Sequence, residues 1–280
     1  MADIISVVNQ KGGVGKTATS RFVADICASM GKKVLLIDFD PQASLTKSFD
    51  LEPQLFEGIN AGNIVNIFKK EIVEVVNVGD ESKNETLHLI PSNRELGMVS
   101  TNIPGKDLIL RQFIKKNNLD NIYDVIIIDN NPKFDTMTIN TMLVANIILV
   151  PVVTSKDEQE GLQGFFRNAE DTLSIFDHKV RKIVVIPSRY NKKTKVHKEY
   201  LKVIEEDTIP MIEENYPYIA EGTIFISKPV PELVVFPDAS SYNMSVYKYL
   251  KEFGSSTNMD KDKRKQLLSL LEKIVKKTLK

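Results

Sequence analysis

The 280-residue sequence predicts an α/β fold, doubly wound around a mainly parallel sheet flanked by helices. Three observations predict it. Short, nearly continuous apolar runs recur, helix-length segments separate them, and a glycine-rich loop joins the first run to the first helix. Strands apolar at every position are covered on both faces, as in a parallel sheet. Their alternation with helices implies right-handed βαβ crossovers.

In chain order, strands are predicted at Ile4–Val8, Lys33–Ile37, Leu87–Ile90, Val125–Ile128, Ile147–Val153 and Ile183–Ile186. Helices are predicted at Lys16–Met30, Lys106–Asn117, Thr136–Val144, Glu158–Phe176 and Val196–Glu206. Gly31 stands where a glycine ends a helix. Pro53–Ser82 and Phe236–Ser256 read as the least regular stretches, the first as an inserted helical excursion. Residues 1–254 are expected to form one α/β domain. Gly254–Asn258 reads as a linker to a basic amphipathic helix within 255–280, expected to pack on the same domain.

Composition narrows the function classes. With 37 basic and 37 acidic side chains the chain is neutral, so nucleic-acid binding needs a local cluster. The only cysteine is Cys27, which excludes an internal disulfide and argues against a thiolate-held metal. The three histidines, His88, His178 and His197, have no metal spacing. No apolar run is long enough to cross a bilayer, and Met1-Ala2-Asp3 leads straight into a strand. A reduced, cytoplasmic protein is expected.

Asn9-Gln10-Lys11-Gly12-Gly13-Val14-Gly15-Lys16-Thr17 follows the first strand and opens the first helix, the context of a phosphate-binding loop. Glycines let backbone amides converge on phosphate oxygens, and the helix N-terminus adds its positive end. Lys11, Gly12, Gly13, Val14, Gly15, Lys16, Thr17 and Ala18 are therefore the expected nucleotide contacts. Lys16 reaches the β- and γ-phosphates, and the Thr17 hydroxyl ligates Mg²⁺. Two acidic strand ends complete the set. Leu35-Leu36-Ile37-Asp38-Phe39-Asp40-Pro41-Gln42 places Asp38 and Asp40 beside the loop, and Tyr123–Asp129 is an apolar run ending in an acid. Clustered carboxylates there imply a cation or a proton-transfer role. Asp129 is the expected acidic group of the magnesium site.

The loop departs from the ordinary pattern: Gln10 replaces the first glycine and Lys11 follows it. In this it resembles the ParA/MinD superfamily of deviant Walker A ATPases, closest to partition ATPases without an N-terminal helix-turn-helix domain. The resemblance implies ATP and Mg²⁺ as ligands and a two-subunit sandwich in which Lys11 crosses to the partner's nucleotide. It implies Lys11, Lys16 and Asp40 as catalytic, with Asp40 orienting or deprotonating the attacking water and Asp38 supporting the magnesium–phosphate site. The family's second switch reads Asp-Cys-Pro-Pro; Asp129-Asn130-Asn131-Pro132 keeps only the last proline, which predicts a less stiff switch and slow turnover. Ser188 and Arg189 align with an adenine-contacting strand end. The second adenine-side loop falls at Ile226–Pro229 or at Val230–Glu232.

Nine basic residues between His178 and Lys202 face a single acidic one, Glu199. Its loop and helix portion is the expected patch for a DNA backbone, with Arg189, Lys192, Lys193, Lys195 and Lys198 as contacts. Leu267, Leu268, Leu271, Ile274 and Val275 give the last helix an apolar stripe flanked by basic residues, which suits core packing, a DNA or partner contact, or an anionic membrane. The reading reached is a partition ATPase: an ATP-dependent homodimer on non-specific double-stranded DNA, nucleoid-associated, with hydrolysis stimulated by a centromere-binding ParB-type protein. Membrane association is not expected. A MinD-like membrane-positioning ATPase and a nucleotide-gated scaffold with little hydrolysis are the alternatives.

Overall fold

The structure is a computed structural model that describes residues 1–57, 62–80, 85–99, 105–254 and 259–279. β1 (Asp3–Val7) leads through the glycine-rich loop into α1 (Lys16–Ser29), and β2 (Val34–Phe39) is followed by α2 (Ser44–Lys47). Next come α3 (Asn66–Lys69), β3 (Val76–Asn77), β4 (Leu87–Ile90), α4 (Ile109–Lys116), α5 (Leu119–Ile122) and β5 (Val125–Asn130). α6 (Thr136–Met142), β6 (Ile147–Val153), α7 (Lys156–Ile175) and β7 (Lys182–Ser188) continue the alternation. α8 (Lys195–Val203), α9 (Ile209–Asn215) and α10 (Pro217–Ala220) lead to β8 (Thr223–Ile226). Three helices follow: α11 (Val235–Ser241), α12 (Val246–Phe253) and α13 (Lys261–Leu279).

Among the described residues one eight-stranded sheet forms, in the order β3-β4-β2-β5-β1-β6-β7-β8. Its pairs are parallel except β3 with β4. Alternate side chains of each strand enter opposite cores, because successive Cβ atoms point to opposite faces. Ile5 and Leu36 face α1, α12 and α13, whereas Ile4 and Leu35 face α3 and α4. A third core joins Ile148, Val150 and Ile183 to Phe165, Phe166 and Leu173 of α7. Gly31, at φ +77°, ends α1: its N–H donates to the Ala28 carbonyl and that of Lys32 to Cys27. This is the paired closure that a left-handed glycine permits.

The register delivers the site. Val7 of β1 and Asp38 of β2 both lie opposite Asp129 of β5, and Val153 lies opposite Ser188. The glycine-rich loop, two acids and a serine thus meet at the carboxyl edge of the sheet, where open α/β folds bind ligands.

The structure differs from the expected elements in several places. Phe236–Ser256, read as irregular, contains most of α11 and all of α12. Each has about two turns, with Val235 and Ala239, then Val246, Tyr247, Tyr249 and Leu250, buried on one side. Ser245 caps α12 by accepting the Lys248 N–H. So few turns give a weak periodic signal, and burial on the α1 core stabilises them. The helix expected at Val196–Glu206 ends as α8 at Val203 and gives way to a π turn over Ile204–Thr208. β3 and β8 were not expected; both are short strands flanking the sheet. Of the expected linker, residues 255–258 lie outside the described residues. In α13, Leu267, Leu271, Ile274 and Val275 are buried against α1 and α12. Lys182 of β7 donates its ammonium to the carbonyls of Lys277 and Thr278 at 3.0 and 3.1 Å, closing the end of that helix.

Candidate nucleotide-binding site

The loop after β1 is arranged to receive an anion. Gly13 and Gly15 adopt φ of +77° and +94°, which side chains with Cβ atoms disfavour. Lys16 is almost buried, and its ammonium donates to the Lys11 carbonyl at 2.7 Å, closing a ring around the loop. Burial lowers its pKa, while Asp129, Asp40 and Glu158 oppose that shift. The loop, Asp40 and Pro132 line a cavity of about 540 Å³ that continues along α1 past Thr17, Ala18 and Arg21.

The expected magnesium residues converge. Thr17 Oγ1 donates to Asp129 Oδ2 at 2.7 Å, and Ser20 Oγ donates to Oδ1 at 2.9 Å. Burial pushes the Asp129 carboxyl up to about 6. Asp38, also fully buried, is pushed up to about 7 by burial and by the Asp129 charge. Among the described residues no group of three or more His, Cys, Asp or Glu could hold a metal by itself. A hydroxyl and an acid beside a phosphate loop fit Mg²⁺, which binds few protein oxygens and keeps water and phosphate ligands.

Asp38 has a second engagement. Its Oδ2 accepts both the N–H and the hydroxyl of Thr46, at 2.8 and 2.7 Å, and its Oδ1 accepts the Asp40 N–H at 3.2 Å. Thr46 Oγ1 in turn accepts the Ser92 N–H, and Ser92 Oγ donates to the Asp40 carbonyl at 2.9 Å. Asp38 therefore holds the segment that carries Asp40. Asp40 itself lies just beyond β2, partly exposed on the cavity wall.

Lys11 lies on the outer side of the loop, with its ammonium 3.9 Å from Glu158 Oε1 of α7. Ser188 is placed under the loop: its hydroxyl donates to the Val14 carbonyl at 2.7 Å and lies 3.3 Å from that of Val152. Arg189, at φ +50°, pairs with Glu232 and sits 3.4 Å from the Gly13 carbonyl. The structure thus brings Arg189 to the nucleotide loop. Lys192, Lys193, Lys195 and Lys198 are exposed along the next turn and α8, with Lys195 paired to Glu199.

The two asparagines of the second switch are engaged by side-chain hydrogen bonds. Asn130 Nδ2 lies 3.0 to 3.3 Å from Ser6 Oγ and the carbonyls of Val7 and Ile128, and its Oδ1 accepts the Thr141 hydroxyl at 2.7 Å. Asn131 bonds Asp135 and the Lys133 N–H. Asn130 is thereby tied to β1 and α6, and Asn131 to the turn before α6.

Sequence reasoning did not single out Ser20, Thr46, Ser92 or Glu158. Only Ser20 carried a signal, three residues after Thr17 and so on the same helix face. The others depend on contacts distant in sequence.

Together, loop, strand order and acidic pair define a phosphate-loop nucleotide-binding protein with a deviant Walker A sequence. A family profile described as "AAA domain" (AAA_31) matches residues 2–186. The chromosome-partitioning ATPase Soj of Thermus thermophilus is 27% identical over 190 residues, covering 68% of this chain and 70% of that protein. The cell division protein PomZ of Myxococcus xanthus is 28% identical, covering 84% and 73%. A plasmid partition protein of Borrelia burgdorferi, solved bound to AMPPNP, superposes with a TM-score of 0.72 at 26% identity, covering 99% and 100%. The chain belongs to this AAA domain family and, within it, to the ParA/MinD superfamily of partition-type ATPases.

Proposed function

We propose that the chain is a DNA-partition ATPase that closes as a homodimer around Mg·ATP and, when closed, binds non-specific double-stranded DNA. The observation that carries this reading is the loop itself. Lys16 is already directed to a carbonyl oxygen within the ring, while Lys11 stands outside it on a long pair to Glu158. One lysine suits the protein's own nucleotide, and the other is placed to leave it.

In this reading the amides of Gly12–Thr17 and the start of α1 hold the phosphates, and Lys16 exchanges the Lys11 carbonyl for a phosphate oxygen. Thr17 and Asp129 would hold Mg²⁺, with Asp38 supporting the site, and the ion would neutralise charge developing on the phosphates. Asp40, fixed through Asp38, Thr46 and Ser92, orients the attacking water. Lys11 from the opposite subunit stabilises the charge between the β- and γ-phosphates, as an arginine finger does elsewhere. Lys192, Lys193, Lys195 and Lys198 supply DNA-backbone contacts, with Arg189 at their edge, and closure aligns the two copies. A centromere-binding ParB-type partner stimulates hydrolysis and release, so the protein is nucleoid-associated in the cytoplasm. The membrane alternative is less well supported, because the apolar stripe of α13 is buried against α1 and α12.

Fluorescence anisotropy on a non-specific duplex, with ATP, ADP or no nucleotide across a salt series, tests the reading. Binding that requires ATP and falls steeply with salt is expected. Absence of binding in all three states overturns the DNA assignment.

A further inference from the structure

Arg21 is a charged side chain in a place where charge is costly. It is only 4% exposed, and its Nε has no hydrogen-bond partner. It lies one turn along α1 from Thr17, beside the cavity that the phosphate loop opens. Its guanidinium stacks on Phe49, with Cζ 3.6 Å from the ring centroid. Nη1 donates to the Ser48 carbonyl and, at 2.7 Å, to the Ser48 hydroxyl; Nη2 reaches the Asn243 carbonyl at 3.4 Å. Asp25, four residues on, supplies a compensating charge and accepts the hydroxyl of Ser245.

These contacts link three elements. Ser48 ends α2, the short helix whose approach carries Asp40, so Arg21 satisfies a carbonyl that the helix end leaves without an internal partner. Asn243 belongs to the turn between α11 and α12 and bonds Asp50, just past α2. Thr46 is meanwhile held by Asp38. The segment from Asp40 to Ser48, the counterpart of the family's first switch, is therefore anchored at two points, Thr46 and Ser48. Between Asp40 and those anchors, Ala43 is buried at φ +52°, a left-handed conformation that costs an alanine about 1 kcal/mol or more. Such backbone persists only where the surroundings impose it.

We infer that Arg21 is a positioning residue for hydrolysis: by clamping Ser48 to α1 and to the Asn243 turn, it holds the switch segment in the conformation that presents Asp40 to the cavity. The inference rests on the ATPase reading above. Its Nη1 and Nη2 donors end on oxygens of Ser48 and Asn243, and it is through these contacts that it acts on the segment. Lysine cannot replace it, because a single ammonium lacks the planar fork that reaches Ser48 and Asn243 together.

Single-turnover hydrolysis of Mg·ATP by the wild-type chain, Arg21→Gln and Arg21→Lys, with nucleotide affinity measured on the same preparations, tests this. Both variants are expected to lose at least tenfold in the hydrolysis rate while nucleotide affinity stays within threefold. Hydrogen exchange is expected to rise in amides 40–48 and not in the strands. Ser48→Ala, which removes one acceptor and leaves the fold intact, is expected to lose a smaller part of the rate. Unchanged rates in Arg21→Lys, or a loss confined to nucleotide affinity, overturns the inference. If the wild-type chain itself neither binds nor hydrolyses Mg·ATP, the ATPase reading fails instead. If Arg21→Gln does not fold, Arg21→Lys and Ser48→Ala decide.

Discussion

Thr17 donates its hydroxyl hydrogen to Asp129 Oδ2 at 2.7 Å, tying the first turn of α1 to the end of β5. Both groups are expected at a magnesium ion, so the bond joins two prospective ligands. Thr17→Val should reduce the enhancement of nucleotide affinity by Mg²⁺ about tenfold, the size of one lost bond to a charged group. Titration of a fluorescent ATP analogue with and without Mg²⁺ measures it. An undiminished enhancement would remove Thr17 from the site.

Burial of Asp38 and Asp129 makes stability depend on pH. Their folded-state values of about 7 and about 6 lie above the ordinary carboxylate range near 4, so the folded chain holds more protons than the unfolded one. Their contribution is complete below about pH 4 and is lost as pH rises through 6 and 7. The nucleotide-free protein should therefore melt several degrees lower at pH 8 than at pH 6, and Asp38→Asn should flatten the change. A melting temperature that rises over that interval contradicts this assignment.

Lys11 and Glu158 form a pair at 3.9 Å in which the lysine side chain is 37% exposed. Pairs this exposed contribute about 0–1 kcal/mol, so Glu158→Gln should favour ATP-driven dimerisation by at most about fivefold per subunit. Lys11→Ala should lose hydrolysis, whereas Asp40→Ala should dimerise with ATP and stall. Light scattering with chromatography, alongside phosphate release, separates the three. Wild-type phosphate release by Asp40→Ala would show that another group handles the water.

Leu271 is fully buried where α13 meets the α1 core. Leu271→Ala should cost about 2–5 kcal/mol in urea unfolding. A loss below about 1 kcal/mol would mean that α13 is not an integral part of the domain.

Much of the fold was legible because its signals are local. The β1 and β5–β7 runs are apolar at nearly every position, and Gly31 closes α1 through bonds spanning a few residues. The loop was legible for the same reason: Gly12–Thr17 is contiguous, so sequence spacing is already geometry. α11, α12, β3 and β8 were not, because each has about two turns or four residues at most and forms on surfaces supplied by distant segments.

The sequence by itself determined that a glycine-rich phosphate-loop motif joins the first strand to the first helix, which strand ends carry the acids, and that Gln10-Lys11 departs from the ordinary loop pattern. Only the tertiary structure decided how those groups are held. Asp38 secures Thr46 and Asp40, Asn130 is bonded to Ser6 and Thr141, Ser188 supports the loop from beneath, and Arg21 grips Ser48. The physical reason is sequence separation. Contiguous motifs fix their own geometry through backbone conformation. A buried carboxylate, amide or guanidinium instead takes its partners from whichever strands and helices the folded sheet brings beside it.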